Sequence, residues 1–232
     1  MTTEPPQNSD DRLPETVWGT KGFSFWTFLS LLLLEAAPSR MLELGAGRST
    51  LTLAEYAHFR RATLVSIETN TAWFNKVRID LRGTQTSPDS VRLMAIDPAT
   101  NWYELAPFRE ATRTGFDFAL IDGPNVANGD SKGMRDAPVA LSEIRSAIRY
   151  AAIVIVDDVH RRHVLRTIDP MLGDPAQYER HFMNYVVNRA YPNALCICTR
   201  KGSRVGNAVE RIARTLNVTL YPTRKESDCL QD

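Results

Sequence analysis

The sequence predicts an α/β fold: a doubly wound sheet of seven strands, mostly parallel, with an antiparallel hairpin towards its C-terminal end. Three observations lead there. Five apolar, β-rich runs recur at regular spacing with helical stretches between several of them, and such alternation implies a parallel sheet covered on both faces. A glycine-rich turn joins the first run to a helical stretch, the corner at which sheets of this kind meet a ligand. Two later runs stand too close together for another crossover and suit a hairpin.

Residues 1–18 are rich in Pro, Asp, Glu, Asn and Thr and read as a mobile tail. The apolar run 23–34 falls short of the roughly 20 residues a membrane-spanning helix needs. With acidic residues before it and Glu35 after it, it also fits a signal peptide poorly, so a buried helix lying over the sheet is expected. The five strand runs are 41–44, 63–68, 91–96, 116–122 and 151–157. Between the last two, Val139, Leu141, Ile144 and Ile148 recur at near-helical spacing, with Arg145 and Arg149 on the other side. The hairpin runs are 182–187 and 195–199, with a turn expected at Tyr191-Pro192-Asn193. A helix over 205–217 closes the pattern. The expected organisation is a tail (1–18), one domain (19–202) and a C-terminal extension (203–232).

At 232 residues the chain suits one large domain. A net charge of +1 sets up no field that would draw in nucleic acid or a membrane surface, so neither is expected as a partner. A homo-oligomer is admitted as readily as a monomer. Cys196, Cys198 and Cys229 form no disulfide framework. Cys196 and Cys198 lie two apart in an apolar run and point to one strand face, as small buried hydrophobes would. No Cys or His pair stands at zinc-site spacing, and a reducing cytoplasm is the natural setting.

The stretch Met41-Leu42-Glu43-Leu44-Gly45-Ala46-Gly47-Arg48-Ser49-Thr50 carries the most chemistry. A strand, a glycine turn and a helix start bring backbone N–H groups to a ligand carboxylate or phosphate. A dinucleotide fingerprint would place its third glycine at position 50, where this chain has Thr50. Glu43, just before the first glycine, is placed to accept from a ligand amine. Glu68 ends the second run roughly 20 residues after Gly45, where an acid ordinarily holds a ribose hydroxyl pair; the plain alternative is a solvated acid.

Acids also finish the later runs: Asp97 the third, Asp122 the fourth, Asp157 and Asp158 the fifth. Asp97 either accepts from an exocyclic amine such as that of adenine or opens an Asp-Pro turn. If the fourth and fifth strands are neighbours, their ends lie about 5 Å apart. Asp122, Asp157 and Asp158 then converge, and ionised acids so close need a proton or a cation among them. Oxygen ligands suit Mg²⁺. The alternative has Asp122 starting a turn with Gly123 and Pro124, and Asp157 or Asp158 capping the next helix.

With these residues in view, the chain resembles the metal-dependent O-methyltransferases of the class I, S-adenosylmethionine-dependent Rossmann-like fold, the group holding catechol-type and macrolide-sugar-type enzymes. Glu43-Leu44-Gly45-Ala46-Gly47 matches the family's cofactor loop and Ser66-Ile67-Glu68 its ribose-binding strand end. The segment 116–123 resembles the one bearing the first metal aspartate, and 154–158 the one bearing the other two ligands. Asp157-Asp158 follows the sugar type, since catechol types have Asp-Asn. The likeness covers roughly residues 23–200.

The resemblance implies methyl transfer from S-adenosyl-L-methionine to a small-molecule acceptor, expected at a hydroxyl and assisted by a divalent cation such as Mg²⁺. It implies cofactor contacts at Glu43, Gly45, Ala46, Gly47, Ser49, Glu68, Asp97 and Asp122, and metal ligands at Asp122, Asp157 and Asp158. Catechol types carry a lysine base three residues beyond the first metal aspartate, and this chain has Asn125 there. The nearest lysine is Lys132. His160 or Asp122 would then take the acceptor's proton, although His160 also reads as a surface histidine at an Arg-rich helix start. Lys132 and Arg135 either hold an anionic substrate or are solvated loop charges. Trp18, Phe23, Phe25 and Trp26 read as core aromatics lying where the family builds its acceptor site. The competing readings are an NAD-dependent oxidoreductase and a non-catalytic S-adenosylmethionine-binding module.

Overall fold

The computed structural model describes residues 25–84, 87–124, 138–188 and 191–225. The expected tail, Trp18, Phe23, the 125–137 loop with Asn125, Lys132 and Arg135, and Cys229 lie outside the described residues.

The first helix, α1 (Phe25–Ala36), buries Phe25, Phe28, Leu29, Leu32 and Leu33, one stripe at helical spacing, and exposes Leu34. It stops at Ala37, whose φ of 48° leaves the helical region, and Pro38 cannot continue it. The chain then alternates strands and helices: β1 (Arg40–Leu44), α2 (Arg48–Arg60), β2 (Thr63–Glu68), α3 (Thr71–Arg82) and β3 (Val91–Leu93).

The expected third strand, 91–96, is divided. After β3 the chain leaves the main sheet, and β4 (Ile96–Asp97) pairs antiparallel with β5 (Trp102–Tyr103) in a separate two-stranded ribbon. Asp97 closes that ribbon. Its carboxylate accepts from Ala99 N (2.9 Å) and Thr100 Oγ1 (3.1 Å), and its carbonyl accepts from Asn101 N (2.8 Å), which closes a turn around Pro98. The short helix α4 (Leu105–Thr112) follows.

Next come β6 (Phe118–Ile121), α5 (Pro138–Ile148), β7 (Ile153–Val156) and α6 (Arg162–Leu172). The buried face of α5 is Ala140, Glu143, Ile144, Ala147 and Ile148, so Val139 and Leu141 flank it rather than lead it. Glu143 tolerates burial because the Arg109 guanidinium grips both of its oxygens, at 2.7 to 3.1 Å.

The hairpin is longer than its apolar runs, with β8 (Tyr178–Asn188) against β9 (Tyr191–Arg200). Tyr191, Pro192 and Asn193 belong to β9 instead of forming the turn. A register shift between Val186 and Asn188 accommodates Pro192, which has no N–H to give a regular ladder.

The main sheet has seven strands in the order β3-β2-β1-β6-β7-β9-β8. All main-sheet pairings are parallel except those of β9, which runs against both neighbours. Alternate side chains feed two cores. Ile153 and Ile155 join α1, α2 and the last helix, α7 (Gly206–Thr215), while Val154 and Val156 join α5 and α6. The helix expected over 205–217 is thus α7. It buries Ala208, Val209, Ile212 and Ala213 against the layer of α1, with Arg211 pairing Glu35 at 2.7 Å. Beyond it, Tyr221 exchanges two backbone hydrogen bonds with Phe182 (2.8 and 2.9 Å) along the β8 edge. Among the described residues no helix is long and apolar enough to cross a membrane. Cys196 and Cys198 are fully buried on one face of β9, Sγ to Sγ 3.6 Å, as hydrophobes.

Candidate functional site

Chain order reverses between β1 and β6: β2 and β3 build outward on one side, β6 and β7 on the other. Loops leaving the carboxyl ends of β1 and β6 therefore part in opposite directions and leave a crevice. Gly45 and Gly123 line it with bare backbone. Gly45 has φ +90°, and a Cβ on it would lie 2.7 Å from Gly123 N and 3.0 Å from the Asp122 carbonyl carbon. A Cβ on Gly123 would in turn lie 2.8 Å from Gly45 Cα. Asp122 N and Gly123 N both donate to Leu44 O, at 2.8 and 2.6 Å, and fasten the two turns together.

Glu43 lies beneath the turn. It is fully buried, and its carboxylate is occupied by protein hydroxyls: Ser49 Oγ donates to Oε1 (2.5 Å), while Thr50 Oγ1 (2.6 Å) and Ser66 Oγ (2.5 Å) donate to Oε2. Ser66 reaches it because the two residues are register partners on β1 and β2. Thr50 also accepts from Gly47 N (2.8 Å), so the residue in place of a third glycine closes the helix start against the acid below. Burial raises the Glu43 carboxyl from the ordinary 4.5 to about 7, and the three hydroxyls oppose that rise.

A carboxyl whose pKa is raised on folding stabilises the fold below its unfolded pKa, and that contribution is lost as pH rises to the folded value. Between pH 4.5 and 7, Glu43 should therefore cost about 3 kcal/mol of stability. Glu43→Gln is expected to flatten the fall in Tm across that window. An unchanged slope of Tm against pH would show that this carboxyl does not titrate there.

At the neighbouring strand end, Glu68 is nearly buried. Its Oε1 accepts from Thr69 N and Asn70 N, both at 2.7 Å, whereas its Oε2 takes no hydrogen bond among the described residues. One oxygen fixes the turn, and the other could accept from a hydroxyl pair. Trp73, in the first turn of α3, donates its indole N–H to Ala46 O and bounds the glycine turn from the β2 side. Gly47 N is taken by Thr50 Oγ1 and Thr50 N by Gly47 O, so Arg48 N and Ser49 N are the N–H groups at the start of α2 that could meet an anion. Asp97 stands on the ribbon beyond β3, its carboxylate engaged by its own turn.

The strand-end acids do converge. Asp122, Asp157 and Asp158 each offer an oxygen, all within 4.8 Å of one another. Asp157 N donates to Ile121 O (3.0 Å), which continues the β6–β7 ladder and holds the two acids level. Asp158 adopts φ +64°, a left-handed conformation that Asp tolerates, and is buried. Tyr185, on β8, donates its hydroxyl to both oxygens of Asp157 at 2.6 Å and stacks on Phe25 (ring centroids 5.8 Å apart), with Trp26 edge-on to Phe25. Burial first, then the charges of Asp122 and Asp158, push the Asp157 carboxyl above the ordinary range; burial likewise raises the Tyr185 phenol. Crowded carboxylates of this kind call for a proton or a cation, and an oxygen-only donor set could hold a hard divalent ion.

His160 is buried, 5% exposed, and is not a surface histidine. Its Nδ1 accepts from Ala194 N (3.4 Å) and lies 4.0 Å from Asp158 Oδ1, while Arg161 pairs with Asp158 Oδ2 at 3.4 Å. Burial lowers the imidazole pKa and favours the neutral ring. Sequence reasoning missed Tyr185, Trp73 and Ser66. Register with Glu43 would have found Ser66, whereas Trp73 and Tyr185 leave no local signal.

No protein-family model and no curated protein matches the chain. Solved structures do. The cofactor-bound Rv0187 from MTB shares 22% identity over 78% of this chain and 82% of its own, with a TM-score of 0.53. The O-methyltransferase from Bacillus cereus in complex with SAH shares 17% over 76% and 80%, with a TM-score of 0.52. The O-methyltransferase TomG from Streptomyces achromogenes in complex with SAM shares 17% over 78% and 82%, with a TM-score of 0.51. At such identities the likeness establishes the fold: this is the Rossmann-like methyltransferase fold.

Proposed function

We propose that the chain transfers a methyl group from S-adenosylmethionine to a hydroxyl of a small-molecule acceptor, with a divalent cation held by Asp122, Asp157 and Asp158. The observation that carries this reading is the acid cluster at the ends of β6 and β7, set beside the Gly45–Gly123 crevice in a fold shared with SAM- and SAH-bound O-methyltransferases. Glu68 Oε2 and the first turn of α2 support binding of a ligand with a hydroxyl pair and a carboxylate.

S-adenosylmethionine supplies a methyl group already activated by its sulfonium, and a cation such as Mg²⁺ would lower the pKa of an acceptor hydroxyl. The protein's own part is placement. The Leu44 carbonyl locks Asp122 and Gly123 to the glycine turn, so the acid and the crevice keep one geometry. Correct alignment of reactants supplies up to roughly 7–11 kcal/mol. Tyr185, stacked on Phe25, holds Asp157, and the 2.6 Å hydroxyl contacts fix its orientation. The Nδ1 lone pair of His160 faces Ala194 N, so Asp122 is the better candidate to receive the acceptor's proton and His160 ties the turn after β7 to β9.

Thr50 weighs against a dinucleotide, since the position that would let a helix and a strand approach closely carries a buried, hydrogen-bonded side chain. Calorimetric titration is expected to show saturable binding of S-adenosylhomocysteine and none of NAD; binding of NAD alone would end the methyltransferase reading. Methyl release to a panel of hydroxylated acceptors, with and without EDTA, then separates an enzyme from a binding module.

A further inference from the structure

The turns after β1 and β2 lie side by side at the carboxyl edge of the sheet, and one side chain joins them. The turn after β2 is built outward from Glu68. Thr69 N and Asn70 N both donate to Glu68 Oε1 at 2.7 Å, and Asn70 Oδ1 accepts from Trp73 N (3.0 Å), which caps α3. Trp73 then reaches out of its own helix and donates its indole N–H to Ala46 O, 27 residues earlier, in the glycine turn after β1. Gly47 lies under the same atom, since a Cβ there would stand 3.7 Å from Trp73 Nε1. At the base of the two turns Gly45 N also donates to Ile67 O (2.8 Å).

Burial does not explain a tryptophan at this position. Trp73 is 43% exposed, and a large apolar ring gains less there than in a core. Lys76 Nζ lies 5.7 Å from its ring centroid and pairs with Asp80 at 3.0 Å, so the ring stands among solvated charges. Its one polar atom, the indole N–H, is committed to the carbonyl of the other turn. A ligand that spans two turns binds best when their spacing is already fixed; otherwise binding itself must order them, at a loss of affinity. A fragment that touches only one turn escapes that loss.

We propose that Trp73 is a positioning residue: through Ala46 O and the Asn70 cap it holds the glycine turn and the Glu68 turn at one spacing, so that both ends of the methyl donor are bound as a unit. The inference rests on the methyl-donor reading of the crevice. Trp73→Phe keeps a ring and removes the N–H. Calorimetry on the full chain compares S-adenosylhomocysteine, which would span both turns, with adenosine, which would reach the Glu68 turn alone. W73F should weaken S-adenosylhomocysteine roughly tenfold, the loss of one hydrogen bond, and leave adenosine binding as in the parent. Asn70→Ala opens the same path on the other side of Trp73 and should show the same split. Residues acting along one path are not additive, so W73F/N70A should bind S-adenosylhomocysteine as W73F does. Trp73 and Asn70 are both exposed, so the single variants should melt close to the parent, and N70A decides the matter if W73F does not fold. Unchanged affinity for S-adenosylhomocysteine in W73F overturns the proposal. An equal loss for adenosine overturns it too, and would put the ring against the ligand itself. A parent chain that binds neither compound removes the methyl-donor reading and this inference with it.

Discussion

Asp157→Asn is expected to abolish methyl transfer while leaving affinity for S-adenosylhomocysteine within a few-fold of the parent. The asparagine keeps an oxygen for the Tyr185 hydroxyl but removes one of three negative charges whose oxygens lie within 4.8 Å. Losing a hydrogen-bond partner of a metal ligand already costs roughly 10–100-fold, and on the proposed reading Asp157 would be a ligand itself. Activity should therefore fall by more than that, and EDTA should reproduce the loss in the parent chain. Thermal stability without divalent ions should not fall, because the substitution relieves crowding in a half-buried cluster. Full activity in chelator would remove the cation from the mechanism, and a variant that no longer binds S-adenosylhomocysteine would make Asp157 part of the cofactor crevice instead.

Gly45→Ala should be the most damaging single change in the crevice, and Gly47→Ala, two residues on, should be mild. At Gly45 a Cβ meets backbone at 2.7 to 3.1 Å with φ +90°, so neither neighbour can give way. Left-handed strain of 1–3 kcal/mol together with overpacking predicts a loss of about 3–5 kcal/mol, or roughly 10–15 °C in Tm for a domain of this size. At Gly47 the nearest atom is Trp73 Nε1 at 3.7 Å, ordinary contact, and φ of −166° is open to any residue. Paired thermal melts and S-adenosylhomocysteine titrations check this. Equal losses at the two positions would show that the close approach of the β1 and β6 turns is not what Gly45 serves.

Much of the site was legible because it is punctuation. Strands end where the apolar run ends, and Glu68, Asp122 and Asp157 stand at or just past those ends, so a parallel sheet delivers them to one edge. β2 was read to the residue, since flanking helices bracket it. The third run misled because Val91–Leu93 and Ile96–Asp97 belong to two sheets, and the apolar Met94-Ala95 between them carries no turn signal. The hairpin turn misled because a bulge lets Pro192 enter a strand. The direction of Glu43 was also hidden. An acid beside a glycine turn suggests ligand contact, yet the alternation of β1 places its side chain opposite Ser66 and under the start of α2.

Local chain properties, namely hydrophobic period, turn residues and acids at strand ends, were enough by themselves to determine the α/β class, the glycine corner and the place of Asp122, Asp157 and Asp158 at or just past strand ends. Tertiary structure alone decided that Tyr185 reaches from the hairpin to Asp157, that three hydroxyls claim Glu43, and that Trp73 joins the turn after β2 to the glycine turn. The physical reason is that periodicity records which face a residue takes, whereas these contacts depend on which strands become neighbours, and in what register, once distant parts of the chain have packed.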